Sequence, residues 1–198
     1  QEFIQKMNDL DCTIISAGGE TADVGDIVRT ADVGFTAFAR YPRKRVKDIH
    51  IQPGDVVVSI ASYGQASYED EYNSGIGSNG LTFARHEVLN KLYAEKYPET
   101  FEPGLDEDVV YTGLHQVTDL HEVSGYSIGK LLLSPTRTFL PLIRDILNNV
   151  HDKVNGIIHC TGGGQTKVLH FMDGLKVVKN NLLEIPPVFS MIQAQSGA

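Results

Sequence analysis

The chain has 198 residues, of which 41% are apolar and 21% are charged. This is an average composition, so it predicts a globular protein with a sizeable core and excludes wholesale disorder or a fibrous repeat. Its 25 acidic and 17 basic residues give a formal net charge of -8, which argues against nucleic acid and anionic membranes as partners, because both need a positive field. No apolar run reaches 18 residues, so the sequence predicts no membrane span. It has two cysteines, Cys12 and Cys160, without metal-like spacing, so it predicts no disulfide framework, and we expect a cytoplasmic protein.

The first forty residues predict one helix and two strands. Four apolar residues of the first ten recur at helical spacing: Phe3, Ile4, Met7 and Leu10. The apolar run 13–15 leads to a glycine pair, which indicates a strand that enters a tight turn. In 33–39 apolar side chains alternate along the chain, as is typical of a half-buried strand.

A basic, proline-containing segment, 40–54, predicts a connection between two domains, or simply a solvated linker. We place the first domain at residues 1–45 and the second at 46–198. A continuous β-branched run at 55–62 is expected of a strand covered on both faces, near the start of the second domain.

The second domain begins its helical part after a glycine-containing turn. Ser78 or Asn79 is the expected N-cap of a helix that ends before Pro98. Its buried stripe would consist of Leu81, Ala84, Val88 and Leu92.

A second long helix is predicted from Ser134 as N-cap, with Pro135 in the first helical position and a kink at Pro141. Its buried stripe would be Phe139, Ile143, Ile146 and Val150. The run 154–160 predicts the next strand. Strands and helices mix throughout, so the predicted fold class is α/β or α+β, a mixed sheet with covering helices.

Three consecutive glycines directly follow this last strand, in "IIHCTGGGQTKVLHF". Such a run lets the backbone approach a ligand, and a helix that starts beyond it would present free N–H groups to an anion. Thr161 could add a hydroxyl and Lys167 a charge, which favours a phosphate site. The alternative is an ordinary strand-to-helix turn, because no standard phosphate-loop motif is matched. His159, at the end of the strand, is either a catalytic residue or a packed core histidine.

Two more glycine turns precede it, at 75–80 ("GIGSNG") and at 18–21 ("GGET"). In the latter, Glu20 could hold Mg²⁺, because hard cations prefer carboxylate oxygen, or could be a surface acid in an ordinary turn. The other histidines show no zinc-binding spacing.

Five stretches, in the same order, resemble the motifs of one enzyme family. They are "GGETADV" (family GGETAEM), "GDVVVSIASYG" with "GSNGLTFAR" (GDVLIGLxSxG and HSNGYSLVR), "LLLSPTRTF" (LLxPTRIY), "IIHCTGGG" (AHITGGG) and "IPPVFSMIQ" (PPIFxWLQ). The family is aminoimidazole ribonucleotide synthetase, also called phosphoribosylformylglycinamidine cyclo-ligase. The resemblance extends over nearly the whole chain.

The resemblance implies a ligase of purine biosynthesis that uses ATP and Mg²⁺. ATP would phosphorylate the formyl oxygen of formylglycinamidine ribonucleotide, after which the amidine nitrogen closes the imidazole ring and phosphate leaves. The implied fold is a partial amino-terminal ATP-binding domain followed by a layered carboxy-terminal α/β domain, and the implied assembly is a homodimer. The partner is a small-molecule ribonucleotide.

The resemblance also assigns roles to residues of this sequence. The nucleotide site, with Glu20 as metal ligand, would comprise Gly18, Gly19, Glu20 and Thr21. Catalysis would involve His159 and Asn79, with His159 assisting proton transfer. The substrate would be bound by Ser78, Gly80, Thr161, Gly162, Gly163 and Gly164.

Three departures from the family pattern are visible. Gly77 stands where the family has a histidine, and a segment at 65–74 is inserted before the glycine turn. Val168, His170 and Phe171 replace an asparagine, a proline and an arginine of the family. We hypothesise that His170 or a histidine of 115–121 compensates for the histidine missing at position 77.

The family's amino-terminal lysine loop and its carboxy-terminal tail have no counterpart here, so we expect a fragment of a longer enzyme that lacks turnover on its own. Two alternatives remain at this point. One is another ATP-using member of the superfamily, similar to thiamine-phosphate kinase, selenophosphate synthetase or the hydrogenase maturation proteins. The other is a non-catalytic module that binds a ribonucleotide.

Overall fold

The computed structural model describes residues 1–26, 28 and 30–197. These residues form six α-helices: α1 (Glu2–Asp9), α2 (Leu81–Val88), α3 (Leu92–Lys96), α4 (Ile128–Leu132), α5 (Leu140–Asn149) and α6 (Pro187–Ser196). Short 3₁₀ segments occur at Arg43–Arg45, Pro98–Thr100, Glu107–Val109, His151–Lys153 and Gly164–Phe171. No helix in this described part of the chain is long and apolar enough to cross a membrane.

Strand pairing within the described residues is confined to isolated bridges. These are the antiparallel pairs Gly64–Asn73 and Leu120–Ser127 and the parallel pair Leu89–His115. The segments 13–15, 33–39, 55–62 and 154–160 were predicted as strands, and this prediction is wrong for the structure. The predicted mixed sheet is therefore not confirmed.

The absence of paired strands among the described residues has a simple physical reason. A strand is held by repeated backbone hydrogen bonds to a neighbour, and 154–160 is joined to 46–52 by one such bond, from the N–H of His50 to the Asn155 carbonyl at 2.7 Å. Side chains that a sheet would cover are instead exposed: Phe35 by 93%, Val56 by 84% and Val58 by 80%. The sequence pattern of these segments therefore indicates a propensity to form strands, but in the described structure the segments have no neighbouring strand to pair with.

The chain divides into two compact units, each assembled from separate stretches. Unit 1 comprises Gln1–Val24, Asp32–Val57 and Thr138–Lys179, and unit 2 comprises Gly25–Ala31, Val58–Arg137 and Asn180–Ala198.

Unit 2 contains the main hydrophobic core, where α2 packs against α4 and α6. Its buried members are Ile76, Ala84, Val88, Leu89, Val110, Tyr111, Ile128, Leu131, Leu132, Val188 and Met191. Burying one such aliphatic side chain contributes about 1.5–3 kcal/mol. This core includes Ile76 of the glycine turn as well as Ala84 and Val88 of α2, so the turn and the helix that follows it are held by the same cluster.

Unit 1 is held largely by polar contacts. Arg144 of α5 donates to the Leu10 carbonyl and pairs with Asp11 at 3.0 Å, which ties α5 to the end of α1. The amide of Asn155 donates to both carboxylate oxygens of Asp55 at 2.9 and 3.0 Å. Helix α1 confirms the helix predicted for the first ten residues.

The single helix predicted between residues 78 and 98 is divided into α2 and α3. Leu89 leaves the helical region at φ -86° and ψ 145° and bridges to His115. The N-cap position is Gly80, with no side-chain cap, so the prediction of Ser78 or Asn79 is wrong. The predicted end before Pro98 is correct, because α3 stops at Lys96.

The second predicted helix begins later than expected. Helix α5 starts at Leu140 with Pro141 in its first turn, where a missing N–H costs nothing, so Pro141 opens the helix and does not kink it. Ser134, predicted as the N-cap, is buried and bonds elsewhere: its hydroxyl donates to the Lys130 carbonyl and accepts from the N–H of Ser74.

Candidate functional site

The glycine run in unit 1 adopts a conformation that needs glycine. Gly162, Gly163 and Gly164 have φ of 40°, 83° and 48°, all in the left-handed region, and the 3₁₀ segment Gly164–Phe171 follows directly. Thr161 and the three glycines are exposed. The Lys167 ammonium donates to the Thr161 carbonyl at 3.2 Å, so a positive charge lies at this turn. The turn is therefore an open backbone surface with one cation beside it.

His159 is exposed, so it is not a core histidine. Its ring contacts the Phe139 ring edge to face, with centroids 6.5 Å apart. This contact packs one ring against the other without burying His159.

The GGET turn is also exposed, from Gly18, at φ 131°, to Thr21. Nowhere in the described residues do three or more histidine, cysteine, aspartate or glutamate side chains gather to hold a metal. A single carboxylate such as Glu20 could hold Mg²⁺ only together with water and nucleotide phosphate oxygens, which is a usual arrangement for this ion. The assignment of Glu20 as a metal ligand stays a prediction.

The third turn, 75–80, lies in unit 2 and leads into α2. Gly75 has φ 82°, and a Cβ there would meet the Tyr63 Cβ at 3.0 Å. Gly77, at φ 62°, faces the Thr136 hydroxyl, which would lie 3.4 Å from an added Cβ. A histidine at position 77, as in the family pattern, would be strained in this conformation. The residues Ser78, Asn79 and Gly80 are exposed at the tip of the turn.

Two buried polar residues fasten the start of this turn. Asn73 donates through its amide to the Pro135 carbonyl at 2.7 Å and accepts from the N–H of Gly75 at 2.9 Å. The Ser74 hydroxyl donates to the Leu131 carbonyl at 2.6 Å. These two side chains are 4% and 0% exposed, so the bonds are shielded from water.

Arg137 uses every donor of its side chain in unit 2, although it was not among the functional residues predicted from the sequence. Its side chain is 7% exposed and pairs with Glu69 through two bonds, Nε to Oε1 at 2.7 Å and Nη2 to Oε2 at 2.6 Å. Its remaining donors reach the carbonyls of Ala61, Tyr63 and Gly64 at 2.7, 3.0 and 2.9 Å. All five N–H donors of the guanidinium are thus used. The proline-threonine-arginine motif and the inserted acidic segment were the available signals, but nothing in their spacing links them.

The inserted segment 65–74 is fixed at further points. Glu71 forms an ion pair with Lys130 of α4. The Tyr72 ring stacks on that of Tyr126, with centroids 4.7 Å apart and an interplanar angle of 9°. Burial raises the pKa of the Tyr72 hydroxyl above its ordinary value. The insertion is therefore attached to the rest of unit 2 at several points along its length.

His86 is a buried histidine of α2, just beyond the glycine turn. Its Nδ1 accepts from the N–H of Tyr111 at 3.3 Å, and its Nε2 lies 3.5 Å from Nη2 of Arg85. Burial, with a smaller effect of the Arg85 charge, lowers the pKa of His86. The guanidinium of Arg85 lies over the Tyr111 ring, 5.6 Å from its centroid.

Two shallow surface concavities have volumes of about 440 and 390 Å³. The first is lined by Gln1, Glu2, Ile4, Gln5 and Ser16, and the second by Tyr41, Arg43, Val46 and Asp48. Neither includes a predicted site residue. The candidate site therefore consists of exposed turns, each described within its own unit.

No protein-family model matches the chain, but many curated proteins do. One from Thermococcus kodakarensis is 34% identical over 152 residues, or 76% of this chain and 34% of the relative. One from Pseudothermotoga lettingae is 28% identical over 188 residues, or 92% of this chain and 44% of the relative. One from Pyrococcus horikoshii is 32% identical over 177 residues, or 88% of this chain and 40% of the relative.

All three relatives are named phosphoribosylformylglycinamidine cyclo-ligase, and the chain spans 34–44% of their length. The chain thus falls among proteins that are named as cyclo-ligases. More particularly, it belongs to the phosphoribosylformylglycinamidine cyclo-ligase family.

Proposed function

We propose that this chain serves an enzyme that closes the imidazole ring of formylglycinamidine ribonucleotide at the expense of ATP. The observation that carries the proposal is the name shared by relatives that align with 76–92% of the chain. None of the three relatives described above has the name of a sister kinase or of a non-catalytic protein, so those alternatives are not favoured.

The proposed reaction has two steps, a phosphoryl transfer and a ring closure. The terminal phosphoryl group of ATP passes to the formyl oxygen and ADP leaves. A nitrogen of the amidine then attacks the activated carbon, the C–O bond to the phosphoryl group breaks, and inorganic phosphate departs with a proton lost from nitrogen. Such chemistry depends on positioning and on stabilising developing charge, because little covalent work falls to the protein.

In this proposal the glycine turn of unit 1 binds the ribonucleotide phosphate. The positive φ angles of Gly162, Gly163 and Gly164 and the nearby Lys167 support this role. With a formal net charge of -8, the chain offers no broadly basic surface, so an anion must be held by local donors. His159, exposed beside this turn in sequence, would assist proton transfer.

The other assignments are proposals on the same basis. Gly18, Gly19, Glu20 and Thr21 would contact ATP, whose Mg²⁺ would need oxygen ligands beyond those of the described residues. Asn79, with Ser78 and Gly80, would contact the reacting part of the substrate. The homodimer, the cytoplasmic location and the division into an ATP-binding part at 1–45 and a cyclo-ligase part at 46–198 also remain proposals.

The test is a steady-state assay of the intact gene product with formylglycinamidine ribonucleotide, ATP and Mg²⁺. We expect aminoimidazole ribonucleotide and ADP in equal amounts. We also expect Gly163→Ala to raise the ribonucleotide KM about tenfold, the equivalent of about 1.4 kcal/mol, because a side chain at φ 83° disturbs the turn.

Gly174→Ala is the matched control for this variant. Gly174 has φ 66° and open space around it, but it lies outside the candidate site, so the same backbone strain should leave KM unchanged. Absence of ADP formation in the wild-type protein would refute the proposed function. Equal KM changes in both variants would refute the phosphate site alone.

A further inference from the structure

We propose that the 65–74 insertion is a brace that positions the Ser78–Gly80 turn, and that Asn73 is its main positioning residue. What the turn does in catalysis rests on the proposed function. The brace itself rests on contacts within unit 2.

The insertion is anchored at its first half by Arg137. The guanidinium donates two charge-assisted hydrogen bonds to Glu69. It donates three more hydrogen bonds to the carbonyls of Ala61, Tyr63 and Gly64. Because Glu69 Oε2 also accepts from the N–H of Ala66 at 2.7 Å, the loop is closed on itself around the buried ion pair. An insertion with this much buried polar bonding is part of the fold and is not a loose loop.

Asn73 connects the other end of the insertion to the glycine turn. Its backbone pairs with Gly64 through two bonds of 2.9 Å, its amide donates to Pro135 and its side-chain oxygen accepts from Gly75. One residue therefore joins three segments: its backbone pairs with the stem of the insertion, and its side chain bonds to the proline-threonine-arginine segment and to the first residue of the turn. Any shift of Asn73 would be passed directly to Gly75.

Ser74 supports the same connection. Its hydroxyl donates to Leu131 of α4 and accepts weakly from the N–H of Ile76 at 3.4 Å, while its N–H donates to the Ser134 hydroxyl. Ile76 is 8% exposed and belongs to the hydrophobic core. The turn is thus fixed on its entry side up to residue 76 and on its exit side by α2, which leaves Ser78–Gly80 as its exposed tip.

The experiment compares Asn73→Asp with Asn149→Asp in the intact gene product. Asn73→Asp removes the donor to Pro135 but keeps the acceptor for Gly75. Asn149, exposed on α5, also donates its amide to a backbone carbonyl, that of Asp145 at 2.9 Å, so it undergoes the same chemical change. Ser74→Ala is the second brace variant, in case Asn73→Asp does not fold.

The first readout is hydrogen exchange of the amides of residues 75–80. We expect exchange about tenfold faster in a brace variant, the size of one lost buried hydrogen bond, with α6 unchanged. Asn149→Asp should leave 75–80 unchanged. Two outcomes would overturn the proposal. One is an equal acceleration of exchange in α6, which would indicate general destabilisation. The other is unchanged exchange at 75–80 in both brace variants.

The second readout is the steady-state assay. A positioning role predicts a kcat about tenfold lower with the ATP KM unchanged. Faster exchange with unchanged kcat would refute the positioning role. If the wild-type protein forms no product, the proposed function fails, whereas hydrogen exchange still decides whether the insertion braces the turn.

Discussion

At the scale of single residues, His86 links burial to a pH dependence. Its ring is 7% exposed and its Nδ1 accepts a backbone N–H, so the fold favours the neutral form and the pKa is lowered. A histidine whose pKa is lower in the folded state binds fewer protons there than in the unfolded chain at pH values between the two pKa values. The contribution of His86 is therefore fully present above its ordinary pKa of 6.5 and is lost as pH falls below it.

We predict that the free energy of unfolding falls between pH 7.5 and pH 5, and that His86→Gln reduces this pH dependence. Urea unfolding at several pH values measures it. The exposed His170 provides a control, because His170→Gln should preserve the wild-type slope. If the free energy of unfolding of His86→Gln depends on pH as steeply as that of the wild-type protein, other groups cause the acid sensitivity.

At the scale of elements, the pair of Arg137 and Glu69 decides whether the insertion stays folded. Their side chains are 7% and 16% exposed, so removal of one charge leaves the other buried and unpaired. We predict that Glu69→Gln lowers the free energy of unfolding by about 3 kcal/mol. Urea unfolding at neutral pH is the measurement.

Glu71→Gln is the matched control in the same insertion. The Glu71 side chain is 71% exposed in its pair with Lys130, and exposed pairs contribute about 1 kcal/mol or less. Similar losses in both variants would contradict a special role of the buried pair.

The same elements define what the sequence could predict. Helical spacing located α1, α2 and α5, because local periodicity records which face is buried. The start of α5 was missed because Pro141 was interpreted as a kink and not as a first-turn residue. The pairing of Arg137 with Glu69 joins residues 68 positions apart, and no local pattern contains that information.

The candidate site was predictable to a similar degree. Glycine runs predicted the turns at 75–80 and 162–164, and the positive φ angles agree with that interpretation. The anchoring of Gly75 by Asn73 was not predictable, because Asn73 lies in a segment with no counterpart in the family motifs. The roles assigned to these turns stay predictions.

At the scale of the whole molecule, apolar side chains are exposed in several segments of strand-like sequence. Phe35 and Phe38 are 93% and 90% exposed, and Val56 and Val58 are 84% and 80% exposed. Exposed apolar side chains favour association, and unpaired strand-like segments offer free backbone groups as well. This is the physical basis of the proposed homodimer.

We predict that the 198-residue polypeptide associates as its concentration rises and that Phe35→Asp weakens the association at least about tenfold, since an aspartate cannot be buried without a large desolvation cost. Sedimentation velocity over a concentration series is the measurement. Val123→Asp is the control, because Val123 is 84% exposed but lies outside the strand-like segments. A protein that stays monomeric at all concentrations would refute the prediction. Equal weakening by both substitutions would indicate non-specific aggregation, because a defined interface would be disturbed by a substitution at Phe35 and not by one at Val123.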